Sequence, residues 1–480
     1  MKKTPQGATM RAVSKKPKST SSDHSKTKDR HLSADNPKDQ KQNQNLNLNQ
    51  KKIQKITFTQ YEKLIIALLA FIQFTVVLGF MIMAPLGTIL METMHISPSE
   101  FSLLVAVYAV SAGTSALVSS VVADNFDRKK YMLFFYTGFV IGTFLCGLAP
   151  TYETLLAARV VSGLFGGVIA SISLAIIADL FPYQVRGRVM GYIMAAFSVS
   201  QVMGLPLGMF IATHWDWHLP FIIIGAMAVP VGFLILFRMK PITGHLGAHR
   251  DQKVHRRMLK IFFKKNHVEA FAATALLTSG GFMLMPFAST FSEHNLGLTR
   301  DQISLVYFAT GIASMFAGII AGYLSDMIGK YAMFVWGSII AVIITLYYTR
   351  LGLTPLWVVI GLSAILFVGV SARMVSAQAL MSAVPDAPDR GSFMALNASV
   401  QQYSGAIASI IAGLIVIQTG KGELKHYEIL GYVVSFTMLA TALFMYRLHV
   451  RFAERGDEPP LEFEAVVVDD ASDSSRLARR

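Results

Sequence analysis

Between Leu64 and Met445 the chain holds twelve apolar runs, near 64–90, 100–122, 131–149, 154–181, 189–213, 219–237, 268–291, 301–323, 331–350, 356–381, 392–419 and 428–446. Each is about 20 residues or a little more, the length a helix needs to cross a hydrocarbon core. Inside lipid no water is available to satisfy backbone N–H and C=O groups, so runs of this kind have to be helical. The connections are short, which sets neighbouring helices antiparallel and packed. The expected fold class is all-α and integral to the membrane, with twelve transmembrane helices.

Charge is excluded from these runs and gathered outside them. Charged residues make up only 15% of the chain against 53% hydrophobic, too few for a water-soluble surface of this size. The net charge of +14 sits in tails and loops rather than on a folded face, which argues against nucleic acid as a partner. Arg128, Lys129 and Lys130 follow run two, Arg186 and Arg188 follow run four, and a basic segment follows run six, whereas the alternate loops are poor in cations. Cations mark the inner side, so both termini are expected in the cytoplasm, and Trp215, Trp217 and Trp357 at the outer interface. The single Cys146 excludes a disulfide framework. The tail up to about Lys55 has no Phe, Tyr or Trp and no apolar core, so it reads as a disordered basic tail rather than a secretory signal.

The chain also repeats itself. Ser97, Glu100, Ser102, Leu103 and Asp124 fall on Thr299, Gln302, Ser304, Leu305 and Asp326 at one fixed offset without a gap. Both copies begin with a helix-capping pattern and end with an acid, so two similar halves of several spans each are expected. The domain organisation read from this is a tail (1–60), a first six-helix half (61–240), a cytoplasmic linker (241–266), a second six-helix half (267–447) and a second tail (448–480). The linker has the composition of one or two amphipathic helices on the inner face, with Ile261-Phe-Phe dipping in. Its His245, His249 and His255 lack the carboxylates or cysteines that would complete a metal site, and no metal is expected.

Twelve spans in two halves, with an Asp124-x-x-x-Arg128-Lys129-Lys130 hinge after span two, resemble the major facilitator superfamily. That family's loop signature, G-x-L-A-D-R-x-G-R-K, is matched at Asp124, Arg128 and Lys129, and departs at Ser120, Asn125 and Asp127. The second copy keeps Gly322, Asp326, Gly329 and Lys330. Arg159-Val-Val-Ser-Gly163 is similar to the R-x-x-x-G signature of span four, and Gly204-Leu-Pro206-Leu-Gly208 is a loosened form of the antiporter signature of span five. The resemblance extends to the bacterial drug and sugar efflux branch. It implies a conformational latch between the halves at Asp124, Arg128 and Lys129, with Asp326 and Lys330 as a weaker second latch. The alternative is an ordinary inside-positive loop capping a helix.

Two buried cations stand out: Arg159 in the outer third of span four and Arg373 near the middle of span ten. A charge in lipid is costly, so each either faces a wet cavity or is held by helix carbonyls. Gln73, Gln201, Asn397 and Gln401 are further candidates for a substrate cavity between the halves, against a role in interhelical hydrogen bonding. No acid lies in the middle of a run. The nearest are Asp179 and Glu269 at inner ends, and Glu293, beside His294, at the outer end of span seven.

The sequence offers no nucleophile with a paired base and no phosphate-binding loop, so no enzyme and no cofactor are expected. The expectation is a monomeric secondary active transporter of the inner membrane, moving a small-molecule substrate by alternating access and touching membrane lipid. Proton-driven efflux of a drug-like compound or sugar derivative is the leading form. The alternatives are an uptake symporter for an anionic metabolite, and a membrane sensor or partner-binding protein without transport.

Overall fold

The computed structural model describes residues 58–244, 254–386 and 389–454. The side chain of Asp124 lies outside the described residues, as do His245 and His249 and the side chain of His255. Twelve helices are long and apolar enough to cross a membrane: Gln60–Met81, Pro98–Val122, Arg128–Gly147, Tyr152–Leu180, Val185–His214, His218–Arg238, Lys265–Asn295, Arg300–Ile328, Lys330–Tyr348, Leu356–Ala383, Arg390–Ile415 and Tyr427–Arg451. These are spans one to twelve. Spans one to six pack on one another, spans seven to twelve do likewise, and the two sets meet along spans two with eleven and five with eight. Arg128 and Lys129 open span three, just after the turn that leaves span two; the side on which the even-numbered spans end is called the basic face below, and the other the far face.

Local chemistry sets the helix ends. Ser97 Oγ accepts from Glu100 N at 3.3 Å while Glu100 Oε2 accepts from Ser97 N at 2.8 Å. Thr299 and Gln302 exchange the same pair of bonds at 3.4 and 2.9 Å. Each exchange satisfies donors that the first helical turn leaves open. Gly329 holds φ at 90°, a conformation that only glycine adopts without strain, and so turns the chain sharply from span eight into span nine.

Four details differ from what the apolar runs suggest. Span one stops at Met81, and a separate short helix, Gly87–Thr93, follows a turn that contains Pro85. Pro85 has no N–H to continue the ladder, so apolarity ran on where the helix did not. Span eleven stops at Ile415, and Ile417–Gln418 (β1) pairs antiparallel with Leu424–Lys425 (β2) in a small hairpin on the far face. Trp215 and Trp357 are exposed, but Trp217 is buried, stacked on His218 with ring centroids 3.6 Å apart. Between the halves one helix is described, Val254–Phe263; its Met258 and Ile261 are buried against the second half while Phe263 is exposed.

Span five is not a uniform helix. Ser200–Gly204 forms a wide π-type turn before Leu205–His214 resumes the ordinary winding. Pro206 lacks the N–H that would close a regular turn behind it, and a π-turn is one way to absorb that loss.

Close backbone approach depends on glycine in the first half. A Cβ on Gly167 would lie 2.3 Å from Ala112 O and 2.4 Å from Ala112 Cα, where spans four and two cross. Nothing lies within 4 Å of a Cβ at Gly187. Gly167→Ala should therefore destabilise the protein by about 1–3 kcal/mol through overpacking against a backbone that cannot rotate away. Gly187→Ala should leave stability unchanged or slightly raised, and thermal unfolding in detergent of the two variants side by side checks the contrast.

Candidate functional site

The seam between the halves is the place to look for a moving part. Along spans two and eleven the contact is nearly backbone to backbone. A Cβ on Gly413 would fall 2.0 Å from Ser102 Oγ, and one on Gly113 would fall 3.2 Å from Gln402 Cβ. Ser409 Oγ donates to Ser102 O at 3.1 Å, and the hydroxyls of Thr114 and Tyr403 meet at 2.8 Å. Along spans five and eight a Cβ on Gly311 would lie 2.7 Å from Val202 Cα, within the π-turn, and Ser314 Oγ donates to Gln201 Oε1 at 3.3 Å. Small residues permit this approach, and hydroxyl bonds give it register without charge.

Towards the far face the two halves are tied further. Ser289 Oγ donates to Ala84 O at 3.0 Å and Thr88 Oγ1 to Thr290 Oγ1 at 3.3 Å, joining the turn and short helix after span one to span seven. Arg300 of span eight forms an ion pair with Glu92 of the short helix after span one, and its Nε donates to Glu293 Oε1 at 2.9 Å. His214 Nε2 lies 3.7 Å from Asp301 Oδ1 across spans five and eight. Towards the basic face the described polar contacts between the halves thin out to Ser120 Oγ on Met258 Sδ at 3.8 Å.

The described bonds of Arg128 and Asp127 on the basic face lie within the first half. Arg128 is buried; its Nε donates to Asp179 Oδ2 at 3.1 Å and its Nη1 to Ala123 O at 3.0 Å. Asp127 Oδ1 accepts from Lys129 N at 3.0 Å and from Ile242 N at 2.9 Å, so one carboxylate starts span three and pins the chain leaving span six. The sequence shows Asp179 only as an acid at a helix end. Its partnership with Arg128 follows from spans three and four being antiparallel neighbours whose ends on this face adjoin. Asp326 is exposed and Lys330 half-buried on the corresponding turn of the second half. Arg451 grips Glu269 with two bonds of 2.5 and 3.0 Å, closing span twelve on span seven.

The two intramembrane arginines have different surroundings. Arg159 is 1% exposed. Its Nη1 donates to Gly79 O at 3.0 Å and its Nε to Leu104 O at 3.4 Å, and its guanidinium lies 4.4 Å from the centre of the Tyr108 ring. It thus knits span four to spans one and two, with only Nη2 left without a partner. Arg373 is 3% exposed, lies 5.4 Å from the Phe334 ring centre, and has neither Nε nor Nη2 hydrogen-bonded. No described carboxylate pairs with either.

The other polar candidates divide between the halves. Gln201 is bonded across the seam, whereas Asn397 Oδ1 accepts from Thr274 Oγ1 at 2.7 Å inside the second half. Gln73 and Gln401 are half-buried. Two pockets stand out elsewhere. An apolar groove of about 580 Å³ runs between spans one, five and six beside Phe74, Met203 and Met227. A second pocket, of about 560 Å³, adjoins Asp179 and Ile242 on the basic face. None of Gln73, Arg159, Gln201, Arg373, Asn397 or Gln401 lines either pocket.

Two halves of six spans, seamed along spans two with eleven and five with eight, narrow the search to one kind of protein, and the family model for the Major Facilitator Superfamily matches residues 69–291 and 270–469. The chain belongs to that superfamily. It is 24% identical over 370 residues to YceJ, an uncharacterized transporter of this type from Bacillus subtilis (strain 168), covering 75% of this chain and 91% of that protein. It is 35% identical over 155 residues to Multidrug resistance protein 3 of the same organism, covering 32% of this chain and 30% of that protein. Among solved structures it resembles a D-xylose-proton symporter (TM-score 0.66, 15% identity, 81% of this chain and 98% of that one). It also resembles an inward-facing bacterial homologue of the lysosomal transporter Spinster (TM-score 0.63, 15% identity, 84% and 98%). This is a multi-pass membrane transporter and not an enzyme.

The environment of Arg159 gives a test of what that cation is for. Arg159 is held by helix carbonyls and has no described carboxylate partner, so removing it strands no opposite charge and saves the cost of burying its own. Arg159→Leu should therefore leave the melting temperature of the purified transporter unchanged or higher while abolishing transport. A variant that fails to fold would instead assign Arg159 to holding spans one, two and four together.

Proposed function

We propose that this transporter exports a small organic solute by alternating access, driven by the proton gradient, with the basic face in the cytoplasm. The observation that carries the mechanism is the set of far-face ties between the halves: among the described polar contacts, those that join the halves crowd the far face. That asymmetry supports reading this conformation as one closed outside, the other state requiring the far-face ties to part. The hinge fits the same cycle. With the inner side released, Arg128 is held by Asp179 in its own half; closing the inner side would bring Asp124, Arg128 and Lys129 to the second half, with Asp326 and Lys330 making the weaker counterpart. Between the latches, Gln73, Arg159, Gln201, Arg373, Asn397 and Gln401 are proposed to face the substrate path in one state or the other. Export is supported by relatives named multidrug resistance proteins.

A second reading rests on Arg373. A guanidinium 3% exposed, with two nitrogens unbonded and no described carboxylate beside it, favours an anion as its partner. On that reading the solute carries a carboxylate or phosphate and is taken up.

The two are separated in vesicles of known orientation. For export, cells lacking the protein should become sensitive to at least one drug-like compound. Inside-out vesicles should then accumulate that compound, and lose it when the proton gradient is collapsed. Accumulation of an organic anion by right-side-out vesicles, abolished by Arg373→Gln, would replace the first reading with the second.

A further inference from the structure

We propose that Glu92, Arg300 and Glu293 form the outer gate of this transporter, and that a proton taken up by Glu92 opens it. The proposal rests on the alternating-access reading above. Glu92 belongs to the first half, whereas Arg300 and Glu293 belong to the second, so the Glu92–Arg300 pair spans the seam and the Arg300–Glu293 pair does not. One guanidinium is therefore shared between a partner that leaves on opening and a partner that stays.

That sharing makes the contact reversible. Breaking an ordinary buried ion pair strands a charge, which is costly. Here the loss of Glu92 leaves Arg300 still bonded through Nε to Glu293 Oε1 at 2.9 Å. Glu293 Oε2 is buried and has no partner in this conformation. When Arg300 Nη2 is released by Glu92, this second oxygen of a carboxylate already bonded to the same guanidinium can accept it, and a bidentate pair forms in place of the bridge. Glu92, whose side chain is 43% exposed, is rehydrated. The gate thus exchanges one hydrogen bond for another rather than giving one up.

The charged groups around Glu92 fix the sign of its response to acid. Its Oε2 faces Arg300 and its Oε1 lies 3.5 Å from His294 Nε2. The His294 ring is backed by the hairpin, where a Cβ on Gly422 would come within 2.3 Å of it, and its Nδ1 is buried without a partner. The other ionisable groups on the packed elements face water or pair elsewhere. His95, Lys421, Glu423, Lys425 and His426 are exposed, and Asp301 turns to His214. A proton on His294 would strengthen its attraction for Glu92 and close the gate. A proton on Glu92 removes the charge both cations hold and opens it. Acid outside therefore opens the gate once the carboxylate itself is neutralised. Among the described spans no acid lies at mid-depth; the acids with described ion pairs at the far end of the seam are Glu92, Glu293 and Asp301, and of these Glu92 and Glu293 share one guanidinium.

The test measures both faces at once. In the Cys146→Ser background, spin labels go on Glu153→Cys and Leu353→Cys at the far face, and on Lys130→Cys and Met327→Cys at the basic face. Distances are recorded by pulsed electron resonance in nanodiscs as the pH is lowered. Once the pH is low enough to neutralise Glu92, acid should lengthen the far-face distance and shorten the other. Glu92→Gln should raise the ratio of open to closed far-face populations about two- to fivefold at neutral pH and flatten the acid response. Glu293→Gln should act in the opposite direction, because opening would then strand Arg300 without an acid. If the populations trade places but both variants shift them alike, or Glu92→Gln leaves them unmoved, the gate assignment is wrong and alternating access stands. If neither label pair resolves two populations under any condition, alternating access fails and the gate with it.

Discussion

Span two lies against span eleven so closely that Gly413 has no room for a side chain. In lipid this closeness has to supply what the hydrophobic effect supplies in water. Helices already surrounded by hydrocarbon gain nothing by excluding it from one another, and association depends on dispersion at short range and on hydrogen bonds that have no water to compete with them. Each half can therefore hold together through wide internal contacts while the seam is held by a narrow row of glycines and serines. A row of uncharged bonds can be broken and remade without leaving a charge stranded in hydrocarbon.

Charge is placed where that uncharged seam ends. The acids and bases with described ion pairs lie at the ends of spans or in the loops, and those that cross between the halves, Glu92 with Arg300 and with His294, and His214 with Asp301, are at the far face. Arg159 and Arg373 are the exceptions at depth. The first is drawn into backbone carbonyls and an aromatic face, which together replace much of a lost hydration shell. The second lies 5.4 Å from the Phe334 ring centre and has two nitrogens without a hydrogen bond.

The spans themselves were legible because their signal is length and apolarity, and both are local. The capping boxes at Ser97 and Thr299 were legible for the same reason: four consecutive residues carry them. Misreadings arose where apolarity and helicity part company. Leu86 to Leu90 are apolar enough to extend span one, yet Pro85 interrupts the ladder before them. Trp217 has the composition of an interfacial anchor, but its place is set by His218 and Phe221, which the pattern of charges does not reveal. The candidate site was legible by residue and not by partner. Arg128 and Asp179 are 51 positions apart, and Glu92 and Arg300 are 208 apart. Only packing tells which cation meets which acid.

The wide turn in span five has a consequence for how that helix divides its attention. One additional residue in a turn swings everything beyond it by about 100° around the helix axis. Before the turn the helix packs mainly on span one; within it Ser200 Oγ donates to Phe74 O of span one while Gln201 and Val202 meet span eight; past it the helix packs mainly on span eight, with Gly208 still facing Ile82 of span one. A single rod thus answers to a neighbour in its own half and to one in the other, and the swivel between those duties is written into its winding. Excising one residue there would restore a straight rod and point one of its two faces at nothing.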